Sequence, residues 1–195
     1  MVKRHLVTRQ VRRYILPRAC KLLPIRLVAL SRYTILGNRN WAREDNAVSE
    51  EIRIGSKQGS ILIEVDGYER PSAEDYDDAN WLKCTVAVNA GAFDGNFKTT
   101  FTTHDFVVLH ERVEHQLAEM SGDITFENTE GDLTLNINMD KRGAALMSGT
   151  VHPHKYLEAS LRFEFESDQS YLEQTRRQIQ AVIRKYPTRE GKGIV

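Results

Sequence analysis

From Ile52 to Phe165, apolar residues return at every second position in a series of short runs, the period of half-buried β-strands and not of helices. Ile52 and Ile54 lead to Gly55, and Ile61, Ile63 and Val65 follow a turn at Lys57-Gln58-Gly59. In WLKCTVAVNAGAFDGNFKTTF (81–101), Leu82, Cys84, Val86, Val88 and Ala90 share one face, with Lys83, Thr85 and Asn89 on the other. Ile124 and Phe126 precede a turn at Glu130-Gly131, after which Leu133, Leu135, Ile137 and Met139 alternate. Ala145, Met147 and Val151 come after Gly143, and Leu157, Ala159, Leu161, Phe163 and Phe165 after a turn at Pro153-His154. Most links are too short for the crossover a parallel pair needs, so neighbours should pair antiparallel. An Asp94-Gly95 turn sets Phe93 opposite Asn96, Ala92 opposite Phe97, Ala90 opposite Thr99 and Val88 opposite Phe101, which keeps the apolar faces together.

Two stretches break the period. Phe106, Leu109, Val113, Leu117 and Met120 recur at helical spacing, with Thr102 and Asp105 forming a capping box and Gly122 beyond the end. Leu172, Ile179, Ile183 and Tyr186 form a second apolar stripe that stops at Pro187, and Ser170 with Glu173 offers a second box. The expected fold is α+β: a mainly antiparallel curved sheet of about eight strands with two helices packed on one face. No convincing internal repeat is visible. Trp81, Phe97, Phe101, Phe163 and Phe165 are expected in the core.

Charge divides the chain. Eleven basic residues precede the first acid, Glu44, leaving 16 against all 27 acids, a formal balance of −11 over the rest of a 195-residue chain with zero net charge. Residues 1–48 are expected to be a poorly ordered basic extension, such as translation beginning at Val48 instead of Met1 would leave out. Residues 49–188 form the α+β domain and 189–195 a flexible tail. Pro17 and Pro24 interrupt any long amphipathic helix in the extension. Cys20 and Cys84 are the two cysteines, one in the basic segment and one on an apolar strand face, so no disulfide framework or paired-cysteine zinc site is expected, and the setting reads as cytoplasmic. No run approaches the roughly 18 apolar residues of a membrane helix.

The catalytic patterns fail one by one. HERVEH separates His110 and His115 by five positions, which turns them about 140° apart on a helix, whereas the four-residue spacing that clasps zinc leaves about 40°. His152 and His154 flank Pro153, which favours a turn, and no third ligand stands at a recognisable spacing. Ser121-Gly122 and Ser148-Gly149-Thr150 lack the nucleophile elbow, and neither a dinucleotide fingerprint nor a P-loop occurs.

The chain resembles a known family over about residues 52–187. The resemblance is carried by Asn80-Trp81-Leu82, Gly91-x-Phe93-x-Gly95, the Asp105-Phe106 helix start, Glu130 before an alternating strand, and Phe163-x-Phe165-x-x-Asp168-Gln169-Ser170-Tyr171-Leu172. These residues, in this order, are similar to the WapI-like immunity proteins of bacterial contact-dependent and polymorphic toxin systems. The basic extension lies outside that pattern, and VHPHKY replaces a more polar connection. The resemblance implies a cytoplasmic, non-enzymatic protein without catalytic residues or cofactor, whose partner is a cognate toxin; no membrane and no nucleic acid partner is expected for the globular part. The acidic balance fits a basic, nuclease-type toxin. The competing readings are a ligand-binding or regulatory module of the same fold and an unrecognised enzyme. Within ERPSAEDYDDAN (69–80), Glu74, Asp75, Tyr76, Asp77 and Asp78 gather four carboxylates around one aromatic, and this loop is the expected partner-binding site.

Overall fold

The computed structural model describes residues 51–153 and 159–191. The basic segment 1–48, Cys20, His154 and Leu157 lie outside the described residues. Among the described residues, eight strands and three helices follow in the order β1 (Glu51–Gly55), β2 (Gly59–Tyr68), α1 (Tyr76–Ala79), β3 (Trp81–Ala90), β4 (Phe93–Thr102), α2 (Thr103–Glu119), β5 (Gly122–Glu127), β6 (Leu133–Met139), β7 (Ala144–Val151), β8 (Leu161–Asp168) and α3 (Gln169–Lys185). All pairings are antiparallel, and the expected α+β class with about eight strands holds.

The strands divide into two sheets, β1-β2-β3-β4 and β5-β6-β7-β8, each followed by one long helix. The chain therefore does carry an internal structural repeat, four strands and a helix twice over. Sequence hides it because a strand needs only the right in-and-out alternation, which many unrelated residue sets satisfy.

Each helix seals the first strand of the other repeat. Along α3, Gln178 Oε1 accepts the Arg53 N–H at 2.9 Å and Thr175 Oγ1 donates to the Arg53 carbonyl at 2.5 Å, so α3 satisfies the outward backbone groups of Arg53 at the middle of the β1 edge. Along α2, Gln116 Nε2 donates to the Gly122 and Ile137 carbonyls at 2.6 and 3.1 Å, and the Arg112 guanidinium donates to the Thr125 carbonyl of β5. An unpaired strand edge is a template for unwanted pairing, and here side chains of the two helices take up part of each of two edges within the fold. One contiguous core joins the repeats, with Phe101, Phe106, Leu109, Val113, Phe126, Leu172 and Ile179 all buried in it.

The β3–β4 hairpin departs from expectation. Its turn is Gly91-Ala92, three residues earlier than Asp94-Gly95, and Val88 faces Gly95, Val86 faces Phe97 and Leu82 faces Phe101. Gly91 adopts φ 64°, which a residue without Cβ accepts readily at the first central position of a Gly-X turn. The distant cause is α2. Its capping box, with Thr102 Oγ1 accepting the Asp105 N–H at 3.1 Å and Asp105 accepting the Thr102 N–H at 2.7 Å, ends β4 at Thr102. A turn at 94–95 would leave only residues 96–102 to pair, whereas the observed turn lets the whole of β3 pair, ending with Trp81 opposite Thr102. The parity is unchanged, so Phe97 and Phe101 stay inward.

Two further expectations change. Trp81 is half-buried, because it is out of phase with Leu82 and Cys84 and so lies on the outer face with Lys83. At α3 the cap is Asp168, whose carboxylate accepts the Ser170 N–H at 2.7 Å, and Glu173 is engaged by Arg176 and Arg177 instead of closing a box.

Candidate partner-binding surface

The acidic loop leaves β2 at Tyr68 and is pinned where it opens, the Glu69 N–H donating to the Trp81 carbonyl at 2.8 Å. Asp75 is extended (φ −76°, ψ 140°) and caps the one-turn helix α1, its carboxylate accepting from the Asp77 and Asp78 N–H groups at 3.1 and 3.3 Å. Asp78 forms an ion pair with Arg70 across the loop. Two of the four carboxylates are thus committed to holding the loop. Glu74 and Asp77 are exposed, and Tyr76 keeps 53% of its surface in solvent. The five residues expected at the site are brought together, but Tyr76 and Asp77 are the better placed to meet a partner.

A C-terminal segment that sequence reasoning missed fixes the loop from behind. Asn80 is buried at 5% exposure and bonds both ways with Arg189, accepting its N–H at 2.8 Å and donating to its carbonyl at 3.1 Å. The same amide donates to the Tyr76 carbonyl at 2.8 Å, which closes the end of α1. The Arg189 guanidinium lies 3.4 Å from the Tyr68 ring centroid and donates to the Pro71 carbonyl at 3.0 Å, while the Tyr68 hydroxyl donates to the Pro187 carbonyl at 2.6 Å. Gly191 runs so close that a Cβ there would meet the Tyr76 nitrogen at 2.6 Å. Of the expected 189–195 tail, the described residues 189–191 therefore lie against α1. The available signal was Asn80 itself, a polar residue directly before a strand whose first inward residue is Leu82.

The other candidates are dispersed. His110 is half-buried, with Nδ1 3.9 Å from Glu114 and Nε2 buried without a hydrogen-bond partner among the described residues, whereas His115 is exposed on another side of α2. His152 is exposed just past β7. Among the described residues, no group of three or more His, Cys, Asp or Glu could hold a metal ion. Cys84 is buried on β3, and burial, with smaller contributions from Asp66 and Asp105, pushes its thiol pKa far above the ordinary value, the opposite of what a nucleophile needs. No helix among the described residues is long and apolar enough to cross a membrane.

The motif residues quoted from the sequence mostly do structural work at the joints of this fold. Asn80 holds the loop, Gly91 turns the hairpin, and Asp105 caps α2 while also accepting from the Thr129 N–H and hydroxyl at 3.2 and 2.8 Å. Phe163 and Phe165 stack in the core with ring centroids 5.7 Å apart, and Asp168 caps α3.

No curated protein matches the chain. A solved structure titled "Crystal structures of trypanosoma bruciei MRP1/MRP2" aligns with 71% of this chain and 87% of that chain at 8% identity and a TM-score of 0.41, a likeness too slight to bear on function. The sequence model of the Immunity protein WapI-like family matches residues 52–187. That match runs from the second residue of β1 to two residues past α3 and takes in both repeats and the loop between β2 and β3, and the chain belongs to the immunity protein WapI-like family.

Proposed function

We propose that the protein is a non-enzymatic immunity factor that binds and neutralises one cognate bacterial toxin, a basic nuclease-type domain, in the cytoplasm of the cell that makes it. Family membership carries this reading. Charge supports it: beyond Arg43 the chain holds 27 acids against 16 bases, a field that steers a phosphate-binding, hence basic, partner inward. The loop of Glu74, Asp75, Tyr76, Asp77 and Asp78 is the part of that surface proposed to guide the encounter, with Asp75 and Asp78 shaping it and Tyr76 and Asp77 facing the partner.

Neutralisation by binding is stoichiometric. The toxin domain encoded beside the gene is produced alone and together with this chain. Co-production restores growth, and the purified pair forms a complex in which inhibition saturates at one equivalent. Inactivation of toxin by a small fraction of an equivalent would identify catalysis instead, and absence of a complex would remove the immunity reading for that toxin.

A further inference from the structure

Phe93 and Leu146 are exposed at 66% and 43%, and they come from different repeats. Phe93 opens β4 opposite Ala90, directly after the Gly91-Ala92 turn, and Leu146 stands on the outer face of β7 opposite Glu166 of β8. Both line one open groove of about 530 Å³, beside half-buried Leu161. The alternation that sends Phe163 and Phe165 into the core sends Arg162, Glu164 and Glu166 out along this groove, and exposed Asp94 follows Phe93. Single exposed apolar residues are ordinary, but here two large ones from separate sheets converge in a concavity with a charged rim, the anatomy of an interface centre and its border. Among the aromatic residues that carry the family resemblance, Phe106, Phe163 and Phe165 are buried, whereas Phe93 is left in solvent where packing does not use it.

We infer that this groove anchors the cognate toxin, which places an apolar side chain on Phe93 and Leu146 and Lys or Arg against Glu164 and Glu166. Charge complementarity chooses the occupant: two carboxylates and one guanidinium line the groove, with Asp94 adding to the negative side, so it suits an apolar anchor flanked by cations. The inference rests on the immunity reading and assigns a second surface to it. Strand β3 separates its ends, Trp81 beside the acidic loop and Ala90 beside the groove, by about 30 Å, so loop and groove can divide the work, the one speeding encounter and the other retaining the partner.

The test is binding kinetics of the full chain against the toxin domain encoded beside the gene, for Phe93→Ala, Leu146→Ala, the double variant and Glu164→Lys with Glu166→Lys. These residues are exposed, and each variant is first shown to keep the wild-type melting temperature. Phe93→Ala is expected to raise the dissociation rate about 30-fold with the association rate within about threefold, as truncation of an anchor does. The charge-reversed pair is expected to weaken binding most at low salt. Wild-type dissociation in the double variant overturns the groove while leaving the immunity reading intact. No binding by the wild type overturns both. A wild-type dimer that the double variant dissolves overturns the proposal in favour of a second copy of the chain.

Discussion

Asn80 grips Arg189 through both ends of one side-chain amide, carbonyl to N–H at 2.8 Å and amide to carbonyl at 3.1 Å, as one strand grips another. With the further bond to the Tyr76 carbonyl, this buried residue joins the segment after α3, α1 and the start of β3. Its hydroxyl neighbour Thr103 is held in turn by Thr188 at 3.1 Å.

Asn80→Ala is expected to cost about 1–3 kcal/mol, because partly buried backbone groups lose partners that water cannot fully replace. Urea unfolding measures the loss. Amide exchange should quicken at residues 76–79 and 188–190 while β6 and β7 stay protected. Unchanged stability would show that the clasp is dispensable.

One joint between the repeats is a contact of ring on glycine. A Cβ on Gly59 would lie 2.7 Å from the Phe165 ring, and Gly55 at φ 124° presses on the same ring. Gly59→Ala is expected to destabilise by about 1–3 kcal/mol through overpacking, and Phe165→Leu should recover part of it, giving a coupling of about 0.5 kcal/mol or more in a double-mutant cycle. Phe163→Ala, at a site 3% exposed, is expected to cost about 3–5 kcal/mol. A wild-type melting temperature for Phe163→Ala would contradict its place in the core.

What was legible in the sequence was what neighbours in the chain decide. Strand faces, the Thr102–Asp105 box and the inward phenylalanines follow from spacing alone. The hairpin turn was misplaced because Asp94-Gly95 and Gly91-Ala92 are both competent turns of the same parity, and the choice is made ten residues away, where α2 must begin. The α3 cap went to Asp168 because Glu173 has two arginines within one turn to satisfy. The Asn80–Arg189 clasp and the groove that Phe93 and Leu146 both line bring together residues far apart in sequence, and no local pattern encodes such distances.

Those two arginines also set a pH dependence. Hydrogen bonds from Arg176 and then Arg177 hold the Glu173 carboxyl down to about 2 from its ordinary 4.5. Its folded pKa is depressed, so its stabilisation is full above about pH 4.5 and is lost as pH falls through about 2. The side chain is 35% exposed, so screening keeps the contribution below about 1 kcal/mol. Thermal melts of wild type and Glu173→Gln should differ by a constant amount above pH 5 and converge between pH 4.5 and 2. A gap that persists at pH 2 would mean that the glutamate acts through packing and not charge.

The acidic loop admits a sharper test than wholesale charge reversal. Asp75 caps α1 and Asp78 pairs with Arg70, so placing lysine at either disturbs the loop as well as its field. Asp77 is exposed, and its substitution leaves the cap and the ion pair in place. Asp77→Lys is expected to slow association with the cognate toxin severalfold at low salt and hardly at all near 1 M, where the Debye length falls to about 3 Å. Tyr76, with 53% of its surface available, should act on dissociation, since an aromatic ring can bury area at low entropy cost. Stopped-flow association at two salt concentrations, with dissociation by competition, separates the two. Asp75→Lys serves as the control that lowers stability as well as rate. Wild-type rates in both Asp77→Lys and Tyr76→Ala would remove the loop from the interface and leave recognition to another surface, the groove at Phe93 foremost.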